Sequence, residues 1–334
     1  MFVTTSEQRG GILVAVITGG RPELRRRPTA LLLDAVREAG VADVVWCVSE
    51  LDANLYEDDS NDLLVYPRAW AEEYAAAHWM QPEPFKPGPG SFLGAFPGRE
   101  WACREAERRG CWGVLQLDDN IIKLSFLRGS TASQRFIMEH GGSALVLDFL
   151  AAIALSTNAR TVGGQLSSVN PRVSEARQVA RAGFPYSLFI ERVGPGREEW
   201  YGPFEDDITH SLQYGHRPDG ATAAVIPRLL YMKESASKTG MRAHYGNERA
   251  VQLQRLFPQS AKVGIRVTRS NGRGEPRLFH TMPPGAVRNR LVVQDPALFG
   301  AVRDRLQQLT EAWVPVELAA NRAKVQRRAA KARA

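Results

Sequence analysis

Cysteine is scarce in this sequence: Cys47, Cys103 and Cys111 are the only three in 334 residues. So few, so irregularly spaced, exclude a disulfide framework and a cysteine-ligated zinc site. Cys47, inside the apolar run DVVWCVS, reads as a core residue. Long apolar runs are missing too. Nothing approaches the about 18 consecutive apolar residues of a membrane-spanning helix, so no membrane partner is expected. The opening MFVTTSEQRGG lacks a basic-then-apolar leader pattern, which makes the cytoplasm the expected location. Internal repeats are absent, and no stretch cuts the body convincingly in two. Acids are the scarcer charge, with 36 Asp and Glu against 43 Lys and Arg, a net charge of +7. Six of the basic residues fall in the last 17 positions, LAANRAKVQRRAAKARA, which hold no acid. Residues 316–334 therefore read as a basic tail, helical or disordered, suited to a polyanion or simply to solvent. Without it the body is close to neutral, so charge alone does not mark a nucleic-acid binder.

What the chain does have is a strand–helix–strand opening. ILVAVIT (residues 12–18) is a buried-strand pattern followed by Gly19-Gly20-Arg21-Pro22, residues 28–40 read as a helix, and residues 43–49 as a second strand. That spacing predicts parallel strands joined by a right-handed crossover. Ligands of such sheets bind beyond the carboxyl ends of the strands. Three features collect at that edge: Thr18-Gly19-Gly20-Arg21, Ser49-Glu50-Leu51-Asp52, and Asp118-Asp119-Asn120. The fold class expected is α/β, a mixed, mostly parallel sheet flanked by helices in a single large domain over residues 1–315.

The last of those features belongs to the most informative stretch, GREWACREAERRGCWGVLQLDDNIIKL (residues 99–124). Ala102, Glu105, Ala106 and Arg109 recur at helical spacing, Gly110 breaks the helix, and residues 112–117 form an apolar strand. Two carboxylates and an amide then sit in a narrow gap between two apolar runs, where burial without a partner is costly. A divalent metal or a ligand's hydroxyls are the expected positive or donating groups; an Asp-Asn turn into solvent is the plainer alternative. Further on, residues 69–78 read as a helix and QPEPFKPGPG (81–90) as an irregular surface loop. Residues 128–134 look flexible, 143–156 form an apolar helix, and 188–193 a strand. TVGGQLSSV (161–169) is a strand whose paired glycines allow a ligand or another backbone to come close.

A second acidic cluster lies in WYGPFEDDITHSLQYG (200–215). Glu205, Asp206 and Asp207 precede a helix expected to begin around Ile208, at its positive end. Asp207 suffices as an ordinary cap, which leaves Asp206 as the functional candidate. Residues 231–245 (YMKESASKTGMRAHY) are polar, basic and interspersed with tyrosine. Residues 263–268 and 277–282 alternate as a hairpin around Asn271-Gly272.

A strand ending in Asp-Asp-Asn, a glycine-rich strand end upstream and a Glu-Asp before a later helix together resemble glycosyltransferases of the GT-A fold, over roughly residues 10–215. More narrowly, GREWA…LDDN with GPFEDDITHSL resembles the TET-associated glycosyltransferases of bacteriophages, which are linked to sugar addition on 5-hydroxymethylcytosine in phage DNA. The resemblance implies a nucleotide-sugar-binding half (residues 10–125), an acceptor-binding half (126–315), and a nucleotide-sugar donor, a UDP-sugar above all. It also implies Mn²⁺ or Mg²⁺ to neutralise the leaving diphosphate. Carried over residue by residue, Asp118 would face the nucleotide and the metal, with Asp119 beside it. Asn120 would occupy the metal-ligand position, a departure because an amide is a weaker ligand than a carboxylate; either Asp119 would take over or metal dependence would be slight. His280 or His244 would be the third ligand, each with plain packing as its alternative. Asp206 would be the general base of an inverting displacement, with Glu205 as helper. Thr18, Gly19, Arg21 and Asp52 would contact the nucleotide. The acceptor DNA would present an exposed, flipped base, with Lys238, Arg242 and Arg266 as phosphate contacts.

Other readings stay open. ITGGRPELRRRP bears a loose likeness to the opening of sugar-nucleotide nucleotidyltransferases, but the tight Gly-x-Gly-x-Arg pattern is absent. A GT-A enzyme acting on a glycan, lipid or protein differs only in acceptor. A non-catalytic nucleic-acid binder is disfavoured by two acidic clusters that would repel phosphate.

Overall fold

A computed structural model describes residues 2–26, 28–38, 43–56, 63–80, 93–127, 135–137, 142–167, 178–234, 247–267, 276–283 and 285–309. After a one-turn helix α1 (Ser6–Gly10) come β1 (Ile12–Ile17), a 3-10 turn (Pro22–Arg26), α2 (Pro28–Glu38), β2 (Asp43–Ser49), β3 (Leu63–Tyr66), α3 (Arg68–Ala77), α4 (Phe96–Arg108) and β4 (Gly113–Asp118). The second half supplies β5 (Ile121–Leu127), β6 (Arg135–Ile137), α5 (Gly142–Ser156), β7 (Ala159–Leu166), β8 (Arg181–Ala182), β9 (Leu188–Arg192), α6 (Asp206–Gly215) and β10 (Thr222–Lys233). α7 (Glu248–Leu256), β11 (Lys262–Val267), β12 (Pro276–Thr281) and a helix α8 over 296–309 complete it.

Ten strands form one sheet in the order β3-β2-β1-β4-β9-β7-β10-β5-β6, with β8 beside β10; β11 and β12 make a separate ribbon. β1, β2, β3 and β4 pair in parallel, as the opening pattern predicts. β9 then enters antiparallel to both β4 and β7, and β5 antiparallel to β10. The result is α/β with a mixed sheet in which β1–β4, β6, β7 and β10 share one direction. Strands from both halves interleave, because β4 lies against β9 and β5 lies beyond β10.

Strand alternation builds a core on each face. Ile12, Val14 and Val16 of β1 face one cluster, with Leu147, Phe149 and Leu150 of α5 and Val302 and Leu306 of α8. Leu13, Ala15 and Ile17 face the other, with Ala102, Cys103 and Ala106 of α4 and Ala71 and Tyr74 of α3. Each fully buried large side chain contributes about 1.5–3 kcal/mol. Cys47 is a fully buried core residue, as expected. At the paired glycines the close neighbour is protein: a Cβ on Gly163 would lie 2.6 Å from the Leu188 carbonyl, and one on Gly164 2.8 Å from Leu229. No helix among the described residues is long and apolar enough to cross a membrane.

Strand direction positions the site. The carboxyl ends of β1, β2, β4 and β10 and the amino ends of β9 and β5 share one edge of the sheet. That edge therefore gathers Thr18, Ser49, Asp118, Lys233, Ser187 and Asn120.

Candidate functional site

Period-two geometry separates the adjacent acids of β4. Leu115 and Leu117 belong to the α5-side core and Val114 to the α4-side core, so Asp119 follows the former and Asp118 the latter. The three polar residues expected to act together are divided between two faces.

On the α5 side, Asp119 is fully buried. Its Oδ2 accepts from Thr18 Oγ1 at 2.8 Å, and its Oδ1 lies 2.8 Å from Arg21 Nη2. Tyr56 closes the group: its hydroxyl is 2.9 Å from Thr18 Oγ1 and accepts from Arg21 N at 3.2 Å. Gly19 sits against Asp52, where a Cβ would come within 3.2 Å of Oδ2. Thr18, Gly19, Arg21, Asp52 and Asp119 thus come together as predicted, with Tyr56 as the member the pattern did not reveal. Burial raises the Asp119 carboxyl to about 6, against the opposing pull of Arg21 and Thr18.

On the α4 side, Arg99 is the hub. Its guanidinium is almost wholly buried, with Nη2 donating to Asp118 Oδ1 at 2.9 Å and Nε to Asp206 Oδ2 at 2.9 Å. The rings of Phe189 and Trp200 each lie 5.3 Å from its Cζ, in cation–π range. Lys233 Nζ bonds Asp118 Oδ2 and donates to Ser187 Oγ at 2.6 Å. Burial alone would raise Asp118; Lys233 and Arg99 outweigh it and hold the carboxyl well below its usual range. Burial would likewise lower Arg99, yet Asp206 and Asp118 keep its pKa above the ordinary value.

The buried stripe of α4 is Phe96, Arg99, Glu100, Ala102, Cys103 and Ala106. Glu105 and Arg109, expected on that face, instead pair with each other at 2.7 Å on the outside. A basic residue on the small and apolar face of the helix, next to Glu100, was the signal for Arg99. α6 also begins earlier than expected. Asp206 is its first residue, and Glu205 takes the N-cap position with φ 46° and no side-chain cap bond. Asp207 is not the cap either; its Oδ1 accepts from the next amide, Ile208 N, at 2.9 Å. Burial and the neighbouring Asp206 push its carboxyl up to about 8. Glu205 Oε1 lies 3.7 Å from His280 Nδ1, which brings the ribbon β11–β12 to the cluster.

Ser187 (φ 53°) and Glu205 (φ 46°) are the non-glycine residues with left-handed backbones among those described. Both stand at this cluster, and such conformations collect where surrounding structure holds a functional site.

The acids of β4 were expected to meet a divalent ion, and the side chains they meet are Arg99, Lys233 and Arg21. Both Asp118 oxygens face cations. Asn120 Nδ2 donates to Glu234 O at 2.8 Å, and its buried Oδ1 has no hydrogen-bond partner among the described residues. One neutral amide oxygen falls far short of the oxygen-rich shell that Mg²⁺ or Mn²⁺ takes. His280 is directed to Glu205 instead. Among the described residues no group of three or more His, Cys, Asp or Glu is arranged for a metal ion. The donor set of Asp118, Asn120 and His280 does not fit the ion.

Lys238, Arg242, His244, the loop 81–90, the stretch 128–134, the turn at Asn271-Gly272 and the tail 316–334 lie outside the described residues. Arg266 is described only through its backbone, paired with Arg277 across the ribbon. No family model and no curated protein matches the chain.

Proposed function

We propose that this chain is a glycosyltransferase that moves a sugar from a nucleotide-sugar donor, a UDP-sugar, onto the hydroxymethyl group of 5-hydroxymethylcytosine in phage DNA, in the host cytoplasm. The observation that carries the reading is the Arg99 bridge between Asp118, at the end of a central strand, and Asp206, at the start of a helix from the other half of the chain. The bridge ties Asp206, the base in this reading, to the sheet edge that also carries Thr18, Gly19, Arg21, Asp52, Tyr56 and Asp119, the residues the reading assigns to the donor nucleotide. The choice of DNA as acceptor rests on the resemblance of GREWA…LDDN and GPFEDDITHSL, with Lys238, Arg242 and Arg266 as the basic contacts to phosphate.

In this reading Asp206 takes the proton of the acceptor hydroxyl as its oxygen attacks the anomeric carbon. Arg99 holds one oxygen of Asp206 and so aims the other at the acceptor. Glu205, tied to His280, lines the acceptor side. Attack opposite the departing diphosphate inverts the anomeric centre.

Nucleoside mass spectrometry is the test. DNA containing 5-hydroxymethylcytosine is incubated with the protein and UDP-, GDP-, CDP- and dTDP-sugars, with and without Mn²⁺, then digested. A hexose-sized gain on that nucleoside, absent with Asp206→Asn, is the expected result. Nucleoside diphosphate release with no gain on DNA would move the acceptor to a glycan, lipid or protein. No gain and no release from any donor would overturn the transferase reading.

A further inference from the structure

We infer that Lys233 occupies the electrostatic role of a divalent cation at this site, so that the donor diphosphate binds without metal. The inference rests on the nucleotide-sugar reading above and names the group that meets its leaving diphosphate.

The first observation is the charge pattern of the cluster. Asp118 faces Lys233, Asp206 faces Arg99 and Asp119 faces Arg21. A divalent ion at Asp118 would have to displace Lys233 or one of the two carboxylates that neutralise the buried Arg99, a costly exchange. The chain has already supplied the positive charge.

The second observation distinguishes the two cations on Asp118. The Arg99 side chain is 3% exposed and is enclosed by two carboxylates and two aromatic rings. The Lys233 side chain remains 26% exposed. An ammonium has three donors, and Asp118 and Ser187 account for two. Arg99 is the internal neutraliser; Lys233 is the one a ligand reaches.

Third, the backbone is shaped to present it. The β10–β5 register shifts between Met232 and Lys233, where Lys233 pairs with Ile121 and Ile122 is skipped. Such bulges re-aim the side chain beside them. Ser187, which accepts the Lys233 hydrogen bond, sits in the left-handed backbone region, and its carbonyl accepts from Asp118 N at 2.8 Å. One residue thereby fixes both members of the pair.

In the transfer step the bond between the anomeric carbon and the diphosphate oxygen breaks, and its electron pair leaves with the diphosphate. The acceptor oxygen bonds the anomeric carbon and its proton passes to Asp206. Lys233 meets the charge that develops on the departing oxygen, the position where preorganised positive charge acts most strongly.

Equilibrium binding of UDP, GDP, CDP and dTDP in EDTA tests this. One of them is expected to bind in EDTA, with Mn²⁺ changing its affinity by no more than about threefold. Lys233→Ala is expected to weaken that diphosphate by about tenfold or more while the matching nucleoside binds unchanged, and Lys233→Arg to retain most of the affinity. A fold defect in Lys233→Ala would weaken diphosphate and nucleoside alike; Ser187→Ala, which removes one hydrogen bond to the ammonium, then decides, with a selective loss for the diphosphate expected. Binding only with Mn²⁺, or an equal loss for nucleoside and diphosphate in both variants, would overturn the inference and leave the transferase reading standing. If no nucleoside diphosphate binds with or without Mn²⁺, the transferase reading itself falls.

Discussion

Arg99 and Asp206, 107 residues apart in sequence, form a 2.9 Å ion pair in which the guanidinium is almost completely enclosed. Burial of that cation is tolerated because Asp118 takes a second of its donors and two aromatic rings flank it. The pair fastens the start of α6 to the end of β4.

Arg99→Ala would leave Asp118 and Asp206 close together without their shared counter-charge. A loss of ~3–5 kcal/mol in unfolding free energy is expected, measured by urea denaturation. Arg99→Lys should recover only part of it, since one ammonium cannot reproduce the planar fork that spans both acids.

Asp206→Asn keeps the shape of α6 and removes the carboxylate that the proposed transfer uses as its base. Turnover should fall by ~10²–10⁴-fold, while stability falls less than in Arg99→Ala because Arg99 retains Asp118. Initial-rate assays beside thermal melts check both halves of this expectation.

Asp207 introduces a pH dependence of opposite sign to that of a salt-bridged acid. Its carboxyl is raised from 3.8 to about 8 in the folded state, so the folded chain holds a proton that the unfolded chain releases. The associated stability is complete below the unfolded value and is lost as pH rises through about 8. Asp207→Asn, which mimics the protonated acid, should melt higher than the parent protein at pH 8. The difference should close toward pH 4.

Glu191 anchors α6 from behind. Fully buried, it faces His210 Nε2 at 2.6 Å and accepts from Tyr214 OH at 2.8 Å and Trp200 Nε1 at 3.0 Å. Glu191→Ala strands those groups and should cost ~3–5 kcal/mol in urea unfolding. Burial would raise this carboxyl, but His210 outweighs it and its pKa is lowered. Its stabilisation is therefore present above the usual carboxylate range and lost as pH falls below it.

Gly163→Ala places a Cβ 2.5 Å from Pro185 Cβ and 2.6 Å from the Leu188 carbonyl. Because the obstacle includes backbone, β7 and β9 must separate. A loss of ~1–3 kcal/mol is expected, seen as a lower melting temperature.

Local pattern was enough for much of the fold. β1, α2 and β2 lie where the ILVAVIT run, the 28–40 periodicity and DVVWCVS place them, and α5 spans the apolar stretch after Gly142. The grouping of Thr18, Gly19, Arg21, Asp52 and Asp119 was legible for the same reason: parallel strands bring their carboxyl ends to one edge. The antiparallel insertion of β9 was not, because a short apolar run carries no sign of its direction or neighbours.

What the sequence alone determined is thus the α/β class, the strands whose ends meet at one edge, and the two acidic stretches of interest. Only the tertiary structure decided which charges meet. Asp118 and Asp119 part because side chains alternate along a strand, and Asp118 finds Arg99 and Lys233 because the first turn of α4 and the carboxyl end of β10 both reach the end of β4. Ion pairing between residues a hundred positions apart depends on strand order and helix placement, and neither is written in the local spacing of residues.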